Sequence, residues 1–177
     1  MKIALRLLLA LTVAFAVAAC QKQTKPEPTQ APPPAEKPTP PPVTTEAAPD
    51  PRDYTDARNF DNAESLLSKR LVYFDFDKSE VKPEYRAIVA AHAAYLAAHS
   101  TARVTLEGHA DERGTREYNL GLGERRGNAV KGLLSAGGAR GDQLSVVSYG
   151  EERPVCRVSN EDCWWKNRRV EIVYTAR

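Results

Sequence analysis

Alternating hydrophobic and polar positions recur at intervals along residues 70–177. Short runs rich in β-branched and aromatic residues, or alternating between apolar and polar side chains, are typical of β-strands. Such segments occur at Leu71–Phe76, Val104–Gly108, Leu144–Tyr149 and Val170–Tyr174. The pattern therefore predicts four strands in this part of the chain.

Two segments between these strands have helical spacing instead. The first begins at Pro83, a residue that the first turn of a helix tolerates. Its apolar positions, at helical intervals, are Tyr85, Ile88, Val89, His92, Tyr95 and Leu96. The second runs roughly from Thr115 to Ser135 and is ended by Gly137–Gly138. We expect a helix in each segment.

The second predicted helix contains an unusual number of glycines. Each glycine in a helix costs about 1 kcal/mol relative to alanine. The glycines are Gly121, Gly123, Gly127 and Gly132. We interpret them as positions where the helix approaches the sheet closely.

The order of the predicted elements is strand, helix, strand, helix, strand, strand. Helical crossovers between strands are right-handed and place their helices on one face of a sheet. We therefore predict an α/β two-layer sandwich of about 105 residues, with the helices on one face of a mixed sheet.

The N-terminal residues have the features of an export signal. Lys2 and Arg6 precede the apolar run Leu7–Ala18, which is too short to span a bilayer comfortably. Small residues then lead to Cys20, and this arrangement resembles a bacterial lipoprotein signal. It implies that residues 1–19 are removed and that Cys20 carries lipid; Gln21, in place of an aspartate, suggests the outer membrane. The alternative is an ordinary secretory signal in which the cysteine is incidental.

Residues 20–51 are predicted to form an extended, unfolded linker. Eleven of the 13 prolines of the chain lie in this segment, which has almost no large apolar residues. About thirty residues at roughly 3.1 Å each would reach on the order of 90 Å. A proline-rich ligand for an adaptor domain is the alternative. Residues 52–69 are expected to be a partly ordered approach, with a short helix at Ala63–Lys69, and residues 70–177 the folded domain.

The charge balance argues against nucleic-acid binding. The chain has 177 residues, enough for one domain with appendages. Removal of residues 1–19 lowers Lys plus Arg from 25 to 23, which equals the 23 acidic residues. A nucleic-acid-binding protein normally has a basic excess.

Cys156 and Cys163 remain as an even pair once Cys20 is assigned to lipid. An exported protein folds in an oxidising compartment, so we expect a disulfide between them. A metal site is the rival interpretation, but His109 has no recognisable ligand spacing to the cysteines. We expect no metal and no cofactor.

Arg126 is the anomaly of the second helix. Leu122, Arg126 and Val130 are four residues apart, so a guanidinium lies within the apolar stripe. Asp111, in the turn before the helix, is an obvious partner. The two side chains either form an internal salt bridge or bind the two ends of a zwitterionic ligand, with the arginine holding a carboxylate.

The residues around this pair resemble the peptidoglycan-binding signature of OmpA-like domains. The matching positions are Asp111, Leu122, Gly123, Arg126, Gly127, Val130 and Leu134. The strings VYFDFDKSEV, GHADERGTREYN, VSYGEERP and NRRVEI resemble a lipid-anchored branch of the family. The resemblance covers the whole predicted domain and implies the same fold.

The resemblance also implies a ligand, the meso-diaminopimelate of the peptidoglycan peptide stem, and a set of site residues. Asp111 would bind its ammonium, Arg126 its carboxylate, and Asn119 the peptide. The loop of Phe76, Asp77 and Lys78 would add backbone groups and a carboxylate, and Asn167, Arg168 and Arg169 would form the far wall. The structural alternatives are a surface position for Asn119, a turn cap for Asp77, and sheet-edge charges for Arg168 and Arg169.

Two positions depart from the commonest family pattern. Ala110 replaces the usual threonine before the aspartate, and Gly127 replaces the alanine that usually follows the arginine. Both changes leave the charged side chains in place.

For the whole protein, the resemblance implies a periplasmic domain tethered to the outer membrane, with a role in envelope integrity and cell division. It also implies membership of the Tol-Pal system and contact with TolB. The alternative function is a protein-interaction module with weak wall affinity. An enzyme is not expected, because the adjacent Asp111 and Glu112 would not face one scissile bond and no nucleophile with a base is suggested. A stator-type motor protein would need a membrane-spanning helix in place of the lipid signal.

Overall fold

The computed structural model describes residues 47–177. Within them, four strands form one mixed sheet in the order β1, β4, β2, β3. The strands are β1 (Leu71–Tyr73), β2 (Arg103–His109), β3 (Leu144–Gly150) and β4 (Arg169–Ala176). β2 and β3 are parallel, whereas β4 is antiparallel to both β1 and β2. The predicted α/β class and mixed sheet are confirmed.

The helices lie close to their predicted positions. Helix α1 (Pro83–Ala98) begins at its proline, and α2 (Arg116–Ala136) begins after Thr115, whose hydroxyl accepts a hydrogen bond from the backbone N–H of Tyr118. A third helix, α3 (Glu161–Asn167), precedes β4 and was not predicted. It is only two turns long, and its sequence lacks a clear apolar period.

Two of the four α2 glycines do approach the sheet closely. A Cβ atom on Gly123 would lie 2.9 Å from the carbonyl oxygen of Gly108 in β2, and a Cβ on Gly127 would lie 2.5 Å from a methyl group of Val146 in β3. The interpretation was wrong for Gly132, whose Cβ would meet nothing within 4 Å, and for Gly121, whose Cβ would meet only the Arg125 side chain. Close packing of α2 on β2 and β3 places the helix start beside the C-terminal end of β2.

The folded part begins earlier than the sequence predicts. Single 3₁₀ turns at Ala57–Phe60 and Leu66–Ser68 precede β1, in place of one short helix at residues 63–69. Phe60 is buried and packs edge-on against Tyr95 and Tyr174. The signal segment 1–19, Cys20 and nearly all of the proposed linker lie outside the described residues. In the part that is described, no helix combines the length and apolar character needed to cross a membrane.

The predicted disulfide between Cys156 and Cys163 is present. Cys163 is a buried residue of α3, so the bond fixes this helix to the loop before it. Asn167, at the end of the same helix, accepts hydrogen bonds from the backbone N–H groups of Val155 and Cys156. The loop and α3 therefore form one cross-linked unit.

His92 is buried in the core and held by two hydrogen bonds. Nε2 lies 2.9 Å from the carbonyl oxygen of Lys69, which can only accept, so Nε2 carries the proton. Nδ1 then accepts from the hydroxyl of Tyr174 at 3.1 Å. Burial lowers the pKa of His92 to about 4. His109 is also buried, and burial, reinforced by Arg169 and Arg153, lowers its pKa to about 3.

We predict that reduction destabilises the domain by about 2.5 kcal/mol, because opening a loop of roughly eight residues restores entropy to the unfolded chain. Urea unfolding with and without dithiothreitol measures the change. A double variant, Cys156→Ser with Cys163→Ser, is the control and should give the same midpoint in both buffers. Equal wild-type midpoints in the two buffers would contradict the prediction.

We predict that stability falls as the pH drops from about 6.5 towards 4. The pKa of each buried histidine is lower in the folded than in the unfolded chain, so in this window the unfolded chain binds more protons and is stabilised relative to the folded one. The His92 contribution is on the order of 3 kcal/mol. Urea unfolding at several pH values should show a steep decline for the wild type and a shallower one for His92→Gln. Identical pH slopes would rule out His92 as a source.

Candidate functional site

A pocket opens where the C-terminal ends of β1 and β2 meet the start of α2. Its walls come from the first loop (residues 74–82), the second loop (residues 110–115) and the N-terminal half of α2. The cavity has a volume of about 200 Å³. Its lining residues are Phe76, Asp77, Asp111, Arg113, Gly114, Tyr118, Asn119, Leu122 and Arg126. The fold thus brings together residues that lie far apart in the sequence.

Arg126 lies at the base of this pocket and is completely buried. Its guanidinium donates to three backbone carbonyl oxygens: that of Lys78 at 2.8 Å, that of His109 at 2.8 Å and that of Asp75 at 3.1 Å. Burial lowers its pKa to about 10, so the group remains charged at neutral pH. Arg126 therefore ties the first loop to the end of β2.

Asp111 is bound by two other arginines. Arg113 approaches it through two hydrogen bonds, 3.1 Å from Nε to Oδ1 and 2.7 Å from an NH2 group to Oδ2, and Arg168 donates to Oδ2 at 3.2 Å. Burial disfavours ionisation of the carboxyl group, but these hydrogen bonds outweigh it and hold the pKa of Asp111 below its usual value. The internal salt bridge between Asp111 and Arg126, one of the two sequence alternatives, is not formed.

Asp77 is the exposed carboxylate of the pocket. Its backbone has a positive φ of 56°, in the left-handed region that residues other than glycine seldom adopt. The hydroxyl of Tyr118, from α2, donates a hydrogen bond to the Asp77 carboxylate. The neighbouring Phe76 is also exposed. A contact between the first loop and α2 therefore spans the entrance.

Asn119 is a buried residue of α2 that lines the pocket, not a surface residue of the helix. Its side-chain amide donates to the carboxylate of Glu151, in the turn after β3. This contact connects the pocket to the end of β3. The amide oxygen of Asn119 faces Gly114 of the second loop, because a Cβ on that glycine would lie 3.4 Å from it.

Three residues of the predicted far wall and one of the first loop lie elsewhere. Arg168 stands behind Asp111 and also donates to the carbonyl of Phe74 and to Glu161. Asn167 caps the disulfide loop, and Arg169 forms an ion pair with Glu171 on the same strand. Lys78 contributes its backbone carbonyl to Arg126, while its side chain lines a separate cleft. Residues 167–169 are therefore not among the lining residues of this cavity, and Arg168 contacts the pocket only through Asp111.

Arg113 is the site residue that sequence reasoning missed. Its guanidinium lies 4.0 Å from the ring centre of Phe76 and 4.1 Å from that of Trp164. It thus joins the first loop, the second loop and α3 while it binds Asp111. Arg113 belongs to no periodic pattern, and only its place within the GHADERG string gave a signal. Tyr118 and Leu122 also line the pocket, although their spacing indicated core positions.

This arrangement is suited to a small ligand that carries both charges. Two carboxylates, those of Asp77 and Asp111, and two guanidiniums, those of Arg113 and Arg126, line one cavity. These groups offer charge-assisted hydrogen bonds to opposite ends of a zwitterion.

Among residues 47–177 there is no cluster of three or more side chains that would hold a metal ion.

Comparison with known proteins places the chain in a family. Residues 73–168 match the model of the OmpA family. A peptidoglycan-associated lipoprotein of Pasteurella multocida is 50% identical over 103 residues, which are 58% of this chain and 69% of that protein. One of Pseudomonas aeruginosa is 52% identical over 100 residues, which are 56% of this chain and 59% of that protein.

Solved structures agree with this relationship. The crystal structure of the peptidoglycan-associated lipoprotein from Burkholderia pseudomallei has a TM-score of 0.64 and 43% sequence identity, and the match covers 65% of this chain and 98% of that one. The C-terminal domain of Helicobacter pylori MotB has a TM-score of 0.55 at 20% identity, over 60% of this chain and 83% of that one, which shows the fold alone. The names of these relatives describe no enzyme. The chain belongs to the OmpA family, and its sequence is similar to the peptidoglycan-associated lipoproteins.

Proposed function

We propose that this protein is an outer-membrane lipoprotein that binds peptidoglycan non-covalently. The ligand group is the zwitterionic end of meso-diaminopimelate in the peptide stem. The observation that supports this most directly is an open cavity lined by both carboxylates and guanidiniums. The names of the relatives, peptidoglycan-associated lipoproteins, point to the same polymer.

In this proposal the ammonium of diaminopimelate is bound by Asp77 and Asp111. Asp77 is exposed and has the Tyr118 hydroxyl as a partner, so it can accept a further hydrogen bond. Asp111 is buried and already receives hydrogen bonds from Arg113 and Arg168. Besides binding the ammonium, it therefore holds the guanidinium of Arg113 in place. The two carboxylates together favour a cation at the pocket mouth.

The carboxylate of diaminopimelate is bound by Arg126. A guanidinium has five N–H groups, and three of those of Arg126 are used by the carbonyls of Lys78, His109 and Asp75. The remaining N–H groups have no hydrogen-bond partner within residues 47–177. Because Arg126 is fully covered without ligand, this contact requires the pocket to open around the guanidinium. Arg113 adds a second positive charge on the adjacent wall.

The size of the cavity limits what enters it. Its volume of about 200 Å³ is below the roughly 300–1,000 Å³ of pockets for drug-sized ligands. It therefore suits the end of one side chain, while the rest of the peptide stem and the glycan remain outside.

Lipid on Cys20 would anchor the chain in the outer membrane, with the domain in the periplasm. The protein would then tether the outer membrane to the cell wall as part of the Tol-Pal system, with a role in envelope integrity and cell division. TolB would contact the surface near the same pocket and compete with the wall. Sedimentation with purified sacculi separates this function from a pure protein-interaction module, which would not pellet with them.

We predict that calorimetry detects binding of a diaminopimelate-containing stem peptide and at least tenfold weaker binding of the same peptide with lysine. Lysine has the ammonium but lacks the terminal carboxylate that would meet Arg126, and a hydrogen bond to a charged group is worth about 1.5–3 kcal/mol. Equal affinity for the two peptides would reject the proposed recognition.

We predict that Asp77→Asn weakens binding of the diaminopimelate peptide by about tenfold or more, because it removes the exposed negative charge of the pocket. Asp142→Asn is the matched control, since Asp142 is an exposed aspartate in the short turn before β3, at the opposite end of that strand from the pocket. Calorimetry with both variants measures the difference. An unchanged affinity in Asp77→Asn would remove this residue from the site.

We predict that Arg126→Ala loses stability as well as binding. Three backbone carbonyl oxygens would lose the guanidinium as a donor, and that of His109 is in a fully buried contact; a buried group left unsatisfied costs about 1–3 kcal/mol. Arg126→Lys keeps the charge and should be destabilised less, but one ammonium cannot reach the first loop and the end of β2 together. Urea unfolding ranks the wild type and the two variants by their free energy of unfolding. An Arg126→Ala variant as stable as the wild type would show that the contacts of Arg126 do not stabilise the fold.

A further inference from the structure

Three aromatic side chains form a surface beside the pocket, which we call the aromatic ledge: Tyr73, Tyr85 and Trp165. The rings of Tyr73 and Trp165 are 5.1 Å apart, and those of Tyr73 and Tyr85 are 6.1 Å apart. Trp165 is 42% exposed, and the two tyrosines are partly exposed. The ledge crosses β1, the edge strand of the sheet, from α3 to α1.

The ledge is connected to the pocket through α3. Trp164 lies 4.1 Å from the guanidinium of Arg113, which lines the pocket. Trp165 is the next residue, so the Cα atoms of the two tryptophans are about 3.8 Å apart. Trp165, and with it the ledge, therefore lies one residue along α3 from a side chain that contacts the pocket lining.

A groove with a mixed lining continues from the ledge. Its volume is about 540 Å³, and it is lined by Ser68, Lys69, Arg70, Leu71, Tyr73, Ile88 and Glu171. Leu71, Tyr73 and Ile88 contribute apolar surface to it, and the other lining residues contribute hydroxyl, ammonium, guanidinium and carboxylate groups. The volume lies within the range of sites for small organic ligands.

We propose that the aromatic ledge and this groove bind the glycan strand of the polymer whose peptide stem enters the pocket. This inference rests on the proposed function. A pyranose ring presents C–H groups on its faces and hydroxyl groups at its edge, so it packs against rigid aromatic rings and forms hydrogen bonds to a polar rim. The ledge supplies the first kind of contact, and the polar side chains that line the groove supply the second.

Covalent connectivity favours a sugar as the occupant. The glycan is bonded to the peptide stem, and each stem residue spans at most about 3.5 Å. A diaminopimelate side chain in the pocket therefore holds the attached sugar within a few residue lengths of the rim. Lys166, 5.7 Å from the Trp165 ring, adds an exposed donor for a sugar hydroxyl or acetamido oxygen.

The test compares two ligands by calorimetry on the disulfide-intact domain: the free tetrapeptide stem, and the same stem carrying its disaccharide. The wild type should bind the disaccharide peptide about 2- to 10-fold more tightly, as expected for one or two aromatic contacts. Trp165→Ala should abolish this difference and leave the affinity for the free stem unchanged. Trp165→Phe, which keeps a ring, should retain part of the difference.

Leu133→Ala is the matched control, because Leu133 is a partly exposed apolar residue near the far end of α2. It should keep the full difference between the two ligands. Equal affinities of the wild type for the two ligands, or a difference that persists in Trp165→Ala, would overturn the inference. A protein would then be the better candidate for a partner of the ledge. Failure of the wild type to bind either ligand would instead reject the proposed function and the glycan contact with it.

Discussion

A buried guanidinium with carbonyl partners organises the site. Arg126 is fully covered, and burial of a charge is expensive unless hydrogen bonds compensate for it. Carbonyls from the first loop and from the last residue of β2 supply that compensation. Because a planar guanidinium has its N–H groups in a fixed arrangement, it sets the separation between the first loop and the end of β2. The pocket opens between the first loop and the second loop, which continues from the end of β2.

The carboxylate of Asp111 depends on a second layer of contacts. Arg113 and Arg168 neutralise it, and Glu161 of α3 in turn pairs with both arginines. Trp164, from the same helix, supports the guanidinium of Arg113. Since the disulfide and Asn167 fix α3 to its preceding loop, the cross-linked unit around Cys163 contributes to the electrostatics of the pocket. Stability and binding are therefore connected through α3.

The regular elements could be predicted from the sequence because their signals are local. The period of 2 in the strands and of 3.6 in the helices is present in each segment by itself, and the pairing of Cys156 with Cys163 followed from parity and compartment. Elements without such a signal were missed. Helix α3 is too short for a period, and Phe60 lies in a polar segment, so its packing against Tyr95 and Tyr174 was not foreseen. The sequence predicted several of the residues that line the pocket, but it did not predict which groups their side chains bind.

By itself, the sequence determined the α/β order, the position of a charge in the apolar face of α2, and the presence of Asp111 beside it. Only the tertiary structure decided what that charge binds: carbonyl oxygens of residues 48, 17 and 51 positions away in the chain, and not the nearby carboxylate. It also decided that Arg113 and Arg168 hold Asp111, and that Asp77 is the exposed anion. The physical reason is that hydrophobic periodicity records which face of an element is buried, whereas the partner of a buried polar group depends on which distant backbone segments meet there.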